Sequence, residues 1–417
     1  MGSWPPPRAG ASAISAGRMR PLIHTVNLRL NSSAAGTSIR RMPNSVLDLL
    51  AGMVAIDSVN PSLVAGGAGE REIAAYVADW ARTAGLKVEI LEATAGRPSV
   101  VVRARGKGRG RSLLLCGHCD TVSVEGINDP SPRIEGDRLY GRGAYDMKAG
   151  LAAALIACRE AAGLGLAGDV IVAAVADEEH ASLGVQEVLE TLRADAAIVT
   201  EPTELELVVA HKGFVWSEIE VSGRAAHGSR PHLGVDAIVK TGPILSALGA
   251  LDADLGARSH PLLGRGSVHA SVIRGGEELS SYPARCVIGL ERRTLPGERA
   301  ADVEAELAAL LDACRHADPE LQAEARTLLV REPFEVPRDA EIVATVRAAA
   351  ADVVGTAPVI GGASYWADAA FIAAAGIPTV MFGPAGEGAH AAEEWVSISS
   401  TETVARTLVS VAAGVCA

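Results

Sequence analysis

Five stretches of this chain place histidine or carboxylate side chains just beyond a short apolar run. They are Leu113-Leu-Leu-Cys-Gly-His118-Cys-Asp120, Gly143-Ala-Tyr-Asp146-Met-Lys148, Val175-Ala-Asp-Glu178-Glu179, Ile198-Val-Thr-Glu201-Pro202 and Gly388-Ala-His390. Val170–Ala176 and Ala196–Thr200 are too short and too β-branched for helices and suit strands buried on both faces. Asp146–Gly163, rich in Ala and Leu, reads as a helix that begins directly at one of the five motifs. Strands alternating with helices predict an α/β fold with a mostly parallel, doubly wound sheet. In such a sheet the ligand site lies outside the carboxyl ends of the strands, so residues distant in sequence converge in one crevice.

The rest of the chain supplies further elements. Amphipathic spacing predicts helices from Asn44 and over about Glu70–Gly85, with Gly85 as the stop. Lys87–Leu91, Ser99–Ala104 and Ser112–Cys116 read as strands. Beyond about His211 the texture changes: strand Phe214–Ser222, helix Pro231–Leu251, strands Val268–Ile273 and Arg285–Arg292, helix Ala301–Arg315. This order fits a small α+β, ferredoxin-like unit with one helix-covered sheet. After about Glu332 the first texture returns, with helices Ala340–Ala351 and Ala367–Ala375, strand Pro378–Phe382 and a last helix from Ser400. The reading is therefore a first domain of residues 43–210 and 331–417, with residues 211–330 inserted. At 417 residues the chain exceeds the ~250–300 at which single cores stop growing, which agrees with two domains.

Composition narrows the partners. Aromatic residues are only 3%, so the core must be aliphatic. A formal charge of −12 argues against nucleic acid, whose phosphates need a basic face, although a local arginine still permits a small anionic substrate. No apolar run reaches the ~20 residues of a membrane span. Six cysteines without framework spacing suggest reduced thiols and a cytoplasmic setting. Cys116-Gly-His-Cys119 lacks the second Cys or His pair that a structural zinc site needs. Residues 1–42 hold six arginines and no Asp or Glu, a composition found in transit peptides. The preferred reading is a disordered leader, or a start placed too early with Met42 as the true beginning.

Each motif taken singly has an ordinary explanation: His118 as a satisfied core histidine, Asp146 as a helix N-cap, Asp177-Glu178-Glu179 as a solvated turn, Glu201 as a loop acid. Together, at the strand ends of one fold, they point to a two-metal hydrolytic centre. His118 and Asp120 are two apart at a strand end and can point the same way, so Asp120 can fix the imidazole directly or by holding a neighbouring loop. Asp146 can bridge two cations. Three adjacent acids at Asp177–Glu179 would repel one another without cations; one Glu can bind metal while its neighbour takes a proton from water. His390 lies in a glycine-rich loop that lets backbone approach a ligand.

These motifs, with Gly223-Arg-Ala-Ala-His227, occur in an order that resembles the co-catalytic metallo-aminoacylase/carboxypeptidase family. That family includes acetylornithine deacetylase, succinyl-diaminopimelate desuccinylase and the bacterial glutamate carboxypeptidase, and the likeness covers residues 44–417. The resemblance implies that His118, Asp146 and Glu201 hold one zinc-type ion, with Co or Mn as alternatives, and that Asp146, Glu179 and His390 hold the other. It implies Glu178 as general base and Asp120 as the partner of His118. It also implies that the inserted domain forms a homodimer interface, from which His227 reaches the other subunit's site and steadies an oxyanion. Arg293, in Leu-Glu-Arg-Arg293-Thr-Leu-Pro-Gly, would grip a substrate carboxylate. Glu291 replaces the family's usual Asp, and Ser280 stands where an Asn is usual.

The activity implied is hydrolysis of the amide in a small N-acyl amino acid or dipeptide-like compound. Ser364-Tyr-Trp-Ala-Asp368 resembles the deacetylase-like members; a desuccinylase or carboxypeptidase is the second choice. A non-catalytic binding member would have lost a ligand or the base, and neither is missing.

Overall fold

The computed structural model describes residues 45–125 and 131–417. The expected leader, residues 1–42, lies outside them. Among the described residues a nine-stranded sheet forms the larger layer. Edge to edge it runs Lys87–Leu91, Ser99–Ala104, Val170–Val175, Leu113–His118, Ala196–Val199, Thr379–Met381, Leu207–His211 and Phe334–Glu335, and Ile360–Ala363 also pairs with Leu207–His211.

Its middle is parallel. Leu113–His118 pairs in parallel with Val170–Val175 on one side and Ala196–Val199 on the other, and Thr379–Met381 continues the parallel set. The central three are buried along their whole length, which is why they read as unbroken apolar runs. Lys87–Leu91 and Ser99–Ala104 join antiparallel at the edge. The core is aliphatic, as the shortage of aromatics required. Helix Ala149–Leu164 packs on Ile398–Val415, which packs on Glu341–Val354. Gly150 permits a close approach of helix Ala149–Leu164 to the sheet: a Cβ there would sit 1.8 Å from the Thr200 carbonyl oxygen.

Residues 213–331 build a second, four-stranded antiparallel sheet, ordered Ser267–Gly275, Arg285–Thr294, Gly213–Ser222, Gln322–Arg331. Val215, Ile219, Val221, Ile288 and Leu290 meet Ile244 and Leu248 of helix Ala237–Leu255 and Leu307 and Leu311 of helix Ala300–Ala317 in a core of their own. The element order is β-α-β-β-α-β. Its last strand, Gln322–Arg331, escaped the sequence reading because its outward positions are polar and charged at a sheet edge.

Two expected helix starts are corrected. The helix foreseen at Pro231 begins at Ala237, where the Asp236 side chain accepts from the Val239 N–H at 3.0 Å; Pro231–Leu233 is a separate 3₁₀ turn. The helix foreseen at Asp146 begins at Ala149 with Lys148 in the N-cap position, so Asp146, two residues earlier with φ −111° and ψ 98°, does not cap it.

Candidate metal centre

Four of the five motifs leave the parallel strands at one edge of the sheet. The fifth, Asp146, arrives instead on the loop between the small strand Arg138–Tyr140 and helix Ala149–Leu164. They converge. His118 Nε2 lies 3.2 Å from Asp146 Oδ1 and 3.9 Å from carboxylate oxygens of Glu178 and Glu201. Asp146 Oδ2 lies 3.3 Å from His390 Nε2, which is 3.1 Å from Glu179. Asp146 thus stands between the two imidazoles.

Two overlapping donor groups result: His118 with Glu178 and Glu201, and His118 with Asp146 and Glu179, the donor atoms of each lying within 4.8 Å of one another. The resemblance implied a different partition, with Glu178 apart from the ligands. In this geometry Glu178 stands beside Glu201.

The electrostatics are those of a cation site. Burial pushes the Glu178, Glu179 and Glu201 carboxyls above their ordinary range, and charged carboxylate neighbours push the same way. Burial acts against the Asp146 charge too, but its hydrogen bonds with His118 and His390 prevail and hold its pKa low. Hydrogen bonds to Asp146 and Glu179 raise His390 to about 10. Burial opposes charge on His118, yet Asp146, Glu201 and Glu178 outweigh it and lift its pKa. So many buried acids around two imidazoles need compensating positive charge. Carboxylate oxygens and imidazole nitrogens suit divalent ions of the zinc, cobalt or manganese kind, so the donor set fits two such ions.

A ring of buried partners holds this set. His118 Nδ1 lies 2.9 Å from the Asp120 backbone oxygen, which leaves Nε2 facing the centre. The Asp120 carboxylate is 3.6 Å from that nitrogen and does other work: it accepts from the backbone N–H groups of Glu178 at 3.1 Å and Glu179 at 3.2 Å, and from Asn60 Nδ2 at 2.7 Å. Of the two roles foreseen for Asp120, loop-holding is the one its carboxylate performs. Asp177 turns inward at φ 68° and accepts from Arg97 at 2.7 Å and Asn60 at 3.0 Å. The same guanidinium grips Glu70 at 2.6 and 2.7 Å. The acidic triplet therefore has a cation for one of its members within the protein. Arg97, Glu70 and Asn60 escaped the sequence reading; the one signal was a lone arginine before Pro98 at the mouth of a buried strand.

His227 and Arg293 are not gathered into this cluster. His227 is exposed, with Nδ1 2.8 Å from Ser229 Oγ, and its two-residue strand pairs with Ser281–Tyr282. The neighbouring Gly228 N–H donates to the Ser280 carbonyl at 2.6 Å. Arg293 Nε donates to Glu291 at 2.7 Å, and its guanidinium lies 5.1 Å above the Phe214 ring. Cys119 is buried outside both donor groups, and the Tyr145 hydroxyl donates to Glu204.

Sequence comparison agrees with this geometry. Peptidase family M20/M25/M40 matches residues 114–414, which include all six clustered side chains. The chain belongs to this family. It is 31% identical to an acetylornithine deacetylase of Proteus mirabilis over 342 residues, covering 78% of this chain and 85% of that protein. Its fold is similar to that of a metallo-carboxypeptidase from Sulfolobus solfataricus, with a TM-score of 0.73 at 21% identity over 88% of this chain and 98% of the other. It is also similar to a dinuclear metal-binding peptidase from Bacillus subtilis, with a TM-score of 0.68 at 16% identity over 89% and 97%. The chain is thus a hydrolase-family member, with a largely parallel catalytic sheet and an inserted α+β unit. Among its described residues no helix is long and apolar enough to cross a membrane.

Proposed function

We propose that the protein is a two-metal amidohydrolase that deacylates small N-acyl amino acids in the manner of an acetylornithine deacetylase. The observation that carries this reading is the convergence of His118, Asp146, Glu178, Glu179, Glu201 and His390 into one cluster. The likeness to the Proteus mirabilis deacetylase favours an acyl amino acid over a longer peptide.

His118, Asp146 and Glu201 would hold one divalent ion, most naturally zinc, and Asp146, Glu179 and His390 the other. When bound, such ions polarise a carbonyl and lower the pKa of water. Glu178 takes the proton of the attacking water and returns it to the leaving nitrogen. Its burial raises its proton affinity, which suits a base. Asp120 keeps Glu178 in place through the backbone N–H it holds. Arg293 orients the substrate carboxylate, once it exchanges part of its pairing with Glu291.

The proposal includes a homodimer through residues 211–330, with His227 donating to the oxyanion in the other subunit's site. It places the enzyme in the cytoplasm, where six unpaired cysteines stay reduced. The test is Glu178→Ala, assayed on a panel of N-acyl amino acids, N-succinyl compounds and dipeptides. Turnover should vanish while metal content stays near wild type. Retained turnover, or loss of metal, overturns the assignment. Wild-type turnover confined to peptides overturns the deacylase reading.

A further inference from the structure

The loop that carries Asp146 and the loop that carries His390 are far apart in the sequence, yet their side chains must meet within a few tenths of an ångström to share a cation. The strands that flank them, Arg138–Tyr140 and Trp395–Ser397, pair antiparallel, but beyond that pairing the two segments are irregular. Asp146 and Met147 have non-helical dihedrals, and His390 sits at φ 63°. Closer to the two side chains, what joins them is Glu394, which follows His390 in the same loop and is only 3% exposed.

One carboxylate oxygen of Glu394 accepts from Arg142 Nη1 at 2.7 Å and the Gly143 N–H at 3.0 Å. The other accepts from the N–H groups of Tyr145 at 2.9 Å and Asp146 at 3.0 Å. The backbone adds a further tie, Gly141 N–H to the Glu394 carbonyl at 3.1 Å. Arg142 closes the unit from the other side: Nη2 donates to the Ala391 carbonyl at 2.8 Å, next to His390, and Nε to the Ser123 carbonyl at 3.0 Å. Three N–H groups ahead of helix Ala149–Leu164 thus converge on one anion, as they would at a bound phosphate, but the anion belongs to the His390 loop. The carboxylate's own four bonds involve none of the six clustered side chains.

We propose that Glu394 is a positioning residue that sets the separation of Asp146 and His390, and so the affinity of the metal site to which both contribute. This rests on the two-metal reading above. A glutamine has the same shape but bears one neutral oxygen and an NH₂ group that would face N–H donors, so the loops must part or one donor must go without a partner.

The test uses apo protein titrated with Co²⁺ and Zn²⁺, followed by cobalt visible absorption and by competition with a chelator, with thermal stability measured alongside. Glu394→Gln should weaken one of the two binding steps by roughly 10–100-fold, leave the other near wild type, and change the cobalt spectrum. Excess metal should restore most of kcat with little change in KM. Arg142→Met, which leaves the carboxylate on its three N–H groups, should shift the same step by less. Glu298→Gln, which disturbs the ion pair with Arg292 in the second sheet, should change stability alone. Two unchanged binding steps in Glu394→Gln with lowered stability would make Glu394 merely structural and overturn the proposal. If Glu394→Gln fails to fold, unchanged binding in Arg142→Met overturns it instead. A wild-type protein that takes up fewer than two ions defeats the two-metal reading, a result separate from either of these.

Discussion

Arg97 holds the Asp177 carboxylate at 2.7 Å, inside the turn that presents Glu178 and Glu179 to the crevice. The guanidinium is 7% exposed and the two acids it grips, Asp177 and Glu70, are fully buried. Removing it strands two negative charges beside a site already crowded with them. Arg97→Met should lower unfolding free energy by about 3–5 kcal/mol, the range for breaking a buried pair from one side. Urea denaturation of the metal-free proteins measures this. A loss under about 1 kcal/mol, as for an exposed pair, would show that the triad is solvated and that its geometry carries little energy.

Gly150 tests how closely helix and strand exit are joined. Glycine inside a helix usually weakens it, so Gly→Ala should stabilise by up to about 1 kcal/mol on propensity alone. Here the added methyl would lie 1.8 Å from the Thr200 carbonyl, next to Glu201. Overpacking should win, at about 1–3 kcal/mol. Gly150→Ala is expected to lower Tm and also metal affinity, because the backbone that presents Glu201 must move. A raised Tm would refute the close approach.

The fold was legible because the central strands are short β-branched runs buried on both faces, while helix Ala149–Leu164, buried along most of its length, stands apart by its length and its Ala-Leu composition. His118, Glu178, Glu179 and Glu201 were legible because each closes or directly follows a parallel strand, whereas Asp146 and His390 come in on loops that their sequence motifs alone singled out. What holds those donors was not. Arg97, Asn60 and Glu394 come from loops whose path depends on tertiary packing, and nothing local in Gly96-Arg97-Pro98 names Glu70 or Asp177 as its partners. The start of helix Ala149–Leu164 was misplaced for a related reason. Asp146 and Met147 would suit a helix by composition, but the Tyr145 and Asp146 N–H groups are bound to Glu394 instead.

His211 offers a pH test away from the metal donors. It is fully buried against Phe334 and Trp366, and burial pushes its pKa down to about 4. The unfolded chain, with a histidine near 6.5, then binds more protons than the folded one between pH 6.5 and 4. Stability from the neutral ring is therefore complete above about 6.5 and is lost as pH falls toward 4, at up to about 1.4 kcal/mol per unit. Other groups titrate in this window, so the comparison is with His211→Leu. Between pH 7 and 4 the wild type should lose about 3 kcal/mol more than the variant. Parallel stability curves would show that the ring charges in place.

His227 poses the sharpest question about assembly, because its exposed position lies outside the cluster of its own chain. If it serves a second copy, two defective variants should repair each other. Glu178→Ala lacks the base but carries a sound His227; His227→Ala has the base but lacks the donor. In a mixed dimer one site receives Glu178 from one chain and His227 from the other and is complete. Co-expression or joint refolding should then recover activity that neither variant shows alone, and dilution below the dimer dissociation constant should abolish it. Absence of recovery in a mixture shown by light scattering to contain mixed dimers would rule out action in trans. A fully active monomer would remove the need for the second copy altogether, and the oxyanion donor would then have to be sought on the cleft of a single chain.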